Sequence, residues 1–176
     1  MNVIPLSIVP LLTAIGIMIS TYCPAQTSAL TMAQADSCMQ KEPKPLLVLL
    51  STDWCRYCRM QKNQLQKNKD FQSALSQFYF VEFNAEYQET IPFRGQSWPY
   101  KPTGESVGMH TLAEELAGGK EVAYPAWVLL DKEYQPVFRY NGVLAPEQLN
   151  VLLQAIETIN RPNKSNSADV CAGNED

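Results

Sequence analysis

The sequence predicts an α/β fold, a central mixed β-sheet flanked by helices. Three observations carry that prediction. Leu46-Leu47-Val48-Leu49-Leu50 is an unbroken apolar run of strand length, the pattern of a strand buried on both faces. A Lys/Gln-rich helical stretch follows and gives way to Phe78-Tyr79-Phe80-Val81-Glu82-Phe83, a second strand that completes a β-α-β unit. Near the C-terminus, two short apolar runs around a turn, then an amphipathic stretch, supply a hairpin and a closing helix.

Taken in order, the chain opens on 35 residues without a single Asp, Glu, Lys or Arg; the first charge is Asp36. Residues 3–22 are apolar or weakly polar and lead to small-residue cleavage options at Cys23-Pro24-Ala25 and Thr27-Ser28-Ala29. Residues 1–25 therefore read as a signal peptide for export. A retained membrane anchor is the competing reading, since ~20 apolar residues can span a bilayer. A lipoprotein signal ending at Cys23 is a third, with Tyr22 a poor residue before a lipidated Cys. Export places the mature chain in the periplasm or outside the cell, where cysteine pairs form disulfides.

Residues 26–42 form an N-terminal helical segment, ended by the breaker stretch Glu42-Pro43-Lys44-Pro45. The main domain spans 43–159. After its first strand comes Ser51-Thr52-Asp53-Trp54-Cys55-Arg56-Tyr57-Cys58, and then helix to about Asp70. Phe71, Ala74, Leu75 and Phe78 keep helical spacing up to the second strand. Residues 84–106 are rich in Gly, Pro and aromatics, with the Pro/aromatic segment 91–106 an insert ahead of the third strand. A short helix is expected over about 107–117, stopped by Gly118-Gly119. Residues 126–130 and 136–140 make the hairpin. Leu149, Leu152, Leu153, Ile156 and Ile159 mark the last helix, with Pro146 suited to its first turn. The polar residues 160–176 read as a flexible tail.

Composition narrows the function classes. A chain of 176 residues favours one domain, and 45% apolar with 10% aromatic residues excludes a disordered one. A net charge of −4 without a basic run argues against nucleic acid as a partner. The single His110 excludes mechanisms needing two imidazoles, as well as a His-rich metal site; a capping or surface position is its expected place.

The chemistry lies in Cys55-Arg56-Tyr57-Cys58, directly after a buried strand and at the opening of a helix. Unpaired backbone N–H groups and the positive end of the helix dipole there favour a thiolate at Cys55, and Arg56 adds a positive neighbour. Three-residue spacing in the first turn brings the two sulfurs together. The bland alternatives are a structural disulfide or half of a zinc site. Zinc needs two more ligands, and only the scattered Cys23, Cys38, Cys171 and His110 remain. No metal and no cofactor are expected. Cys38 and Cys171 could pair once Cys23 is removed.

At these residues the chain resembles the thioredoxin superfamily: WCRYC follows LLVLLSTD, Tyr124-Pro125 precedes the strand AWVLL, and Asn141-Gly142 precedes the last helix. The resemblance covers residues 43–159 in collinear order and looks closest to exported bacterial thioredoxin-like thiol–disulfide oxidoreductases with a TDWCxxC segment. It implies a thioredoxin-like fold with a cis-proline loop at Tyr124-Pro125. It implies also that Cys55 is the nucleophile, Cys58 the resolving cysteine, and that Tyr124 and Pro125 present backbone to an extended substrate; Trp54 reads as a lid beside the disulfide, as simple packing, or as both. Disulfide-containing exported proteins would be the substrates, a membrane or soluble thiol the electron donor, reduction the direction, and the molecule a monomer.

The chain departs from the family pattern in three places. The buried Asp six residues before the first active-site Cys is Leu49 here, Arg56-Tyr57 replaces Gly-Pro, and the stretch from Asn84 to Pro125 is longer. With the Asp missing, Glu82 is the candidate proton carrier, at the strand position where thioredoxins resemble one another in carrying a Lys that pairs with that Asp. A carboxylate in an apolar strand is expected to be desolvated. Two other classes of function stay open at this point: a non-catalytic thioredoxin-like binding or chaperone module with a locked Cys55–Cys58 disulfide, and a metallochaperone for a soft ion such as Cu(I).

Overall fold

The computed structural model describes residues 29–104 and 108–161. The proposed signal segment, its cleavage sites with Cys23, and nearly all of the polar tail with Cys171 lie outside the described residues. Among those described, no helix is long and apolar enough to cross a membrane.

A four-stranded mixed sheet forms the centre, in the order β2-β1-β7-β8. β1 (Leu46–Ser51) runs parallel to β2 (Tyr79–Asn84) and antiparallel to β7 (Ala126–Leu130). β7 and β8 (Pro136–Asn141) form the expected hairpin, with β8 as the edge. Every residue of β1 is buried, as its unbroken apolar run requires of a central strand covered on both faces.

Alternation along the strands splits the core in two. Leu46, Val48, Leu50, Val81, Phe83 and Val128 face α1 (Met32–Met39) and α4 (Thr111–Ala117). Leu47, Leu49, Phe80, Trp127 and Leu129 face the other side, against α2 (Arg56–Lys67), α3 (Lys69–Ala74) and α5 (Pro146–Asn160). The result is helix, sheet, helix. On the first side α1 is fixed at both ends. Thr31 and Gln34 cap it reciprocally, and the buried Asp36 accepts hydrogen bonds from Tyr134 Oη (2.8 Å) and Gln40 Nε2 (3.0 Å). Burial foremost, with that carboxylate beside it, raises the Tyr134 phenol above its ordinary range.

Several boundaries differ from the sequence expectation. The helix expected to reach Asp70 ends at Lys67, because Asn68 is extended and its side chain accepts from Phe71 N to start α3. The helix expected from 107 begins only at Thr111. Residues 108–110 are instead strand: β6 (Gly108–His110) pairs with β5 (Tyr100–Pro102), next to a second ribbon of β3 (Ile91–Phe93) and β4 (Gln96–Trp98). Gly108 is required there, since a Cβ would run into the backbone carbonyl oxygen of Lys101 as well as Tyr100 Oη. The insert is thus two β-ribbons, and Phe93, 1% exposed, is part of the core beside α1.

His110 is not on the surface: it is fully buried. It does cap α4, its Nδ1 accepting from Leu112 N at 3.2 Å while Nε2 lies 3.1 Å from Glu89 O. Two acceptor-donor partners fix the neutral ring with its proton on Nε2. Burial lowers the imidazole pKa, and the bond to Glu89 offsets this only in part.

Candidate active site

The β1–α2 junction builds the site. Cys55 is the N-cap of α2, in extended conformation, and its Sγ accepts the N–H of Cys58 at 3.0 Å. Cys55 N donates to Thr52 O and Arg59 Nη1 to Asp53 O, so the loop is tied on both sides of Trp54. Cys55 and Cys58 are joined as a disulfide. Cys55 is 4% and Cys58 1% exposed, whereas the flanking Trp54 and Tyr57 are 66% and 63% exposed. Two large apolar side chains left in water beside a disulfide give a partner something to cover.

Two other loops converge on this junction. The Tyr124–Pro125 peptide is cis, as the resemblance implied. Trp54 and Tyr124 meet edge to face, ring centroids 6.3 Å apart. Pro125 O accepts from Gly142 N at 2.7 Å, and Gly142 adopts φ +126°, a conformation that favours glycine. Gln61, buried on α2, holds Leu144 of the same 141–145 loop through Oε1 at 2.7 Å. The cysteine pair, Trp54, Tyr124 and Pro125 therefore share one end of the sheet.

Glu82 is elsewhere on the sheet. It is the register partner of Leu49, on the α2 side, and its Oε2 is 3.1 Å from Lys62 Nζ. Its side chain is about a quarter exposed (27%), so it is not the dry carboxylate that the apolar strand suggested. Lys62 sits one helical turn beyond Cys58 and reaches over the sheet to meet it. Arg139 donates from Nε to Leu116 O at the end of α4.

Sequence reasoning missed Glu86. Its Oε1 accepts from Trp54 Nε1 at 2.9 Å and so fixes the indole plane next to the disulfide. Its charge, after burial, raises the Tyr124 phenol pKa. A carboxylate two residues past the end of β2 was the available signal, but the partner lies 32 residues away in the chain. The insert reaches the site too: Tyr124 Oη donates to Met109 Sδ of β6 at 3.4 Å. Among the described residues no group of three or more His, Cys, Asp or Glu is placed to hold a metal ion.

With a dithiol–disulfide pair at a helix N-terminus, the arrangement can exchange two electrons with another disulfide or dithiol. The thioredoxin-like domain family matches residues 32–157, most of the chain. Among solved structures the chain is similar to a DsbH oxidoreductase, at 18% identity, covering 77% of this chain and 88% of that one with a TM-score of 0.51. It is also similar to a thioredoxin-fold protein from Helicobacter pylori, at 17% identity over 77% of this chain and 75% of that one, TM-score 0.49. At such identities the likeness is one of fold. No curated protein matches significantly.

Proposed function

Because the chain belongs to the thioredoxin-like domain family, we propose that it is a thiol–disulfide oxidoreductase that reduces disulfides of exported proteins through a Cys55/Cys58 cycle. The observation that carries this reading is the Cys55–Cys58 disulfide at the start of α2, flanked by exposed Trp54 and Tyr57. In the reduced protein the Cys58 N–H and the helix N-terminus stabilise a Cys55 thiolate, the species that attacks. A sulfur–sulfur bond forms between Cys55 and one substrate sulfur, and the other leaves as a thiolate that takes a proton from water. Cys58 then attacks Cys55 Sγ, the mixed disulfide breaks, and the second substrate thiol departs. The protein ends oxidised by two electrons, which a membrane or soluble dithiol donor returns.

Trp54 and Tyr124 form the wall against which the substrate packs, and Pro125 lends backbone to it. In this reading Glu82, with Lys62 one turn beyond Cys58, carries away the Cys58 proton in place of the acid absent at Leu49. The chain acts as a monomer in the periplasm or after secretion, an expectation that rests on the apolar residues 3–22 of the sequence. Insulin reduction by wild type and Cys55→Ser tests the proposal. Turnover by wild type and none by the variant supports it; equal inactivity of both leaves a non-catalytic module with a locked disulfide.

A further inference from the structure

The Trp54–Tyr124 wall of the proposed site is one side of an open cavity of about 560 Å³. Trp54 and Tyr124 form one wall; Met109 of β6 and Val122 line it further out. Each of the first two immediately precedes a site residue, Cys55 or Pro125, so the cavity adjoins the active-site loops. The opposite wall belongs to the β5–β6 ribbon, the part of the chain that exceeds the family pattern. Its charged lining carries both signs: Lys101 and Lys120 against Glu86 and Glu114. Glu86 is engaged by the Trp54 indole. Lys101, Lys120 and Glu114 enter no ion pair among the described residues.

Size and charge together indicate the occupant. The volume falls within the ~300–1,000 Å³ of small-ligand sites and exceeds any one side chain. An apolar aromatic wall suits methylene groups, while lysines and carboxylates in one lining need an occupant with carboxylates and ammonium groups close together. A free amino acid or a short peptide carries both on a few atoms.

We propose that this cavity is a substrate subsite for zwitterionic disulfides of low molecular weight, such as cystine or a short cystine-containing peptide. The proposal rests on the oxidoreductase reading and extends its substrates beyond proteins. Cys55 attacks one sulfur of cystine, one cysteine leaves as the thiol after taking a proton from water, and Cys58 displaces the second. The two electrons come from the protein dithiol, and a dithiol such as dithiothreitol restores it.

The test uses the full chain, reduced with dithiothreitol and freed of it, and follows its oxidation in stopped flow. Cystine is compared with the uncharged 2-hydroxyethyl disulfide, for wild type and for Lys101→Gln/Lys120→Gln. Both lysines are exposed, so the substitutions do not touch the core. The expected result is a rate that saturates with cystine in the wild type, and a cystine-to-neutral rate ratio that falls about tenfold in the double variant, the worth of ~1.4 kcal/mol. A ratio unchanged by the substitutions, or a cystine rate linear to millimolar concentration, overturns the subsite. So does a double variant that loses insulin reduction while keeping its cystine ratio, which makes the cavity a polypeptide site. A wild type that reacts with neither disulfide overturns the oxidoreductase reading itself.

Discussion

Replacing His110 with alanine should destabilise the fold by about 3 kcal/mol at pH 8, and the deficit should shrink as the pH falls. The magnitude follows from what the ring does. Losing the Nδ1 acceptor removes the N-cap of α4, worth about 1 kcal/mol. The fully buried ring packs edge to face on Phe83 at 5.2 Å and beside Tyr87; emptying its site costs roughly 2 kcal/mol, below the 3–5 of a larger phenylalanine. Glu89 is exposed, so its carbonyl regains water and adds little. For a domain of this size, 3 kcal/mol lowers Tm by roughly 6–12 °C.

The sign of the pH effect is fixed by the direction of the shift. Burial puts the folded pKa below the ordinary 6.5, so below about pH 6.5 the unfolded state binds a proton that the folded state refuses. The stability that neutral His110 confers is complete above 6.5 and is lost as pH falls through the folded pKa, by up to about 1.4 kcal/mol per unit. His110 is the single histidine of the chain, so subtracting the variant from wild type isolates it from the carboxylates. Urea titrations of both proteins at pH 8, 7, 6 and 5, in one redox state, give the difference directly. A difference that stays constant over that range, or grows toward acid, would refute the neutral, capping role.

Four other outcomes are expected. Cys58→Ser should hold substrates as stable mixed disulfides through Cys55, seen on non-reducing gels, while Cys55→Ser should hold none. Iodoacetamide should label Cys55 before Cys58 in the reduced protein, as mass spectrometry can show, because the helix N-terminus favours its thiolate. Glu82→Gln should slow release of the mixed disulfide several-fold with attack by Cys55 nearly intact; resolution at the wild-type rate across pH 6–9 would remove Glu82 from the mechanism. Phe93→Ala should cost about 3–5 kcal/mol in urea titration, since Phe93 is buried against Tyr134 with ring centroids 5.5 Å apart; a loss below 1 kcal/mol would make the insert mere covering.

What the sequence made legible is what short-range pattern encodes. The Leu46–Leu50 run is fully buried in the sheet, and its following loop places Cys55 at a helix start, because strand, turn and cap signals are all local. Gly118 in the left-handed region ends α4, and Pro146 opens α5. The rest depended on partners far apart in the chain. Three-residue strands such as β5 and β6 leave no periodicity, and their pairing, Tyr100 with His110, is set by the closing of a loop. The burial of His110 follows from that closing and from the return of the chain at Ala85 and Glu89. Trp54 with Glu86, and Glu82 with Lys62, join residues that no local pattern pairs. The apolar strand context of Glu82 hid the reach of a helix lysine over the sheet.

The central claim, that Cys55 and Cys58 cycle as a reductant, is tested most directly by titrating the pair against a graded dithiol–disulfide buffer and reading the thiol fraction by alkylation and mass. The account predicts a reversible two-electron transition on the reducing side, nearer the ~−270 mV of thioredoxins than the ~−120 mV of strongly oxidising relatives. A midpoint near about −120 mV, or a disulfide that stays closed throughout the range, would contradict it.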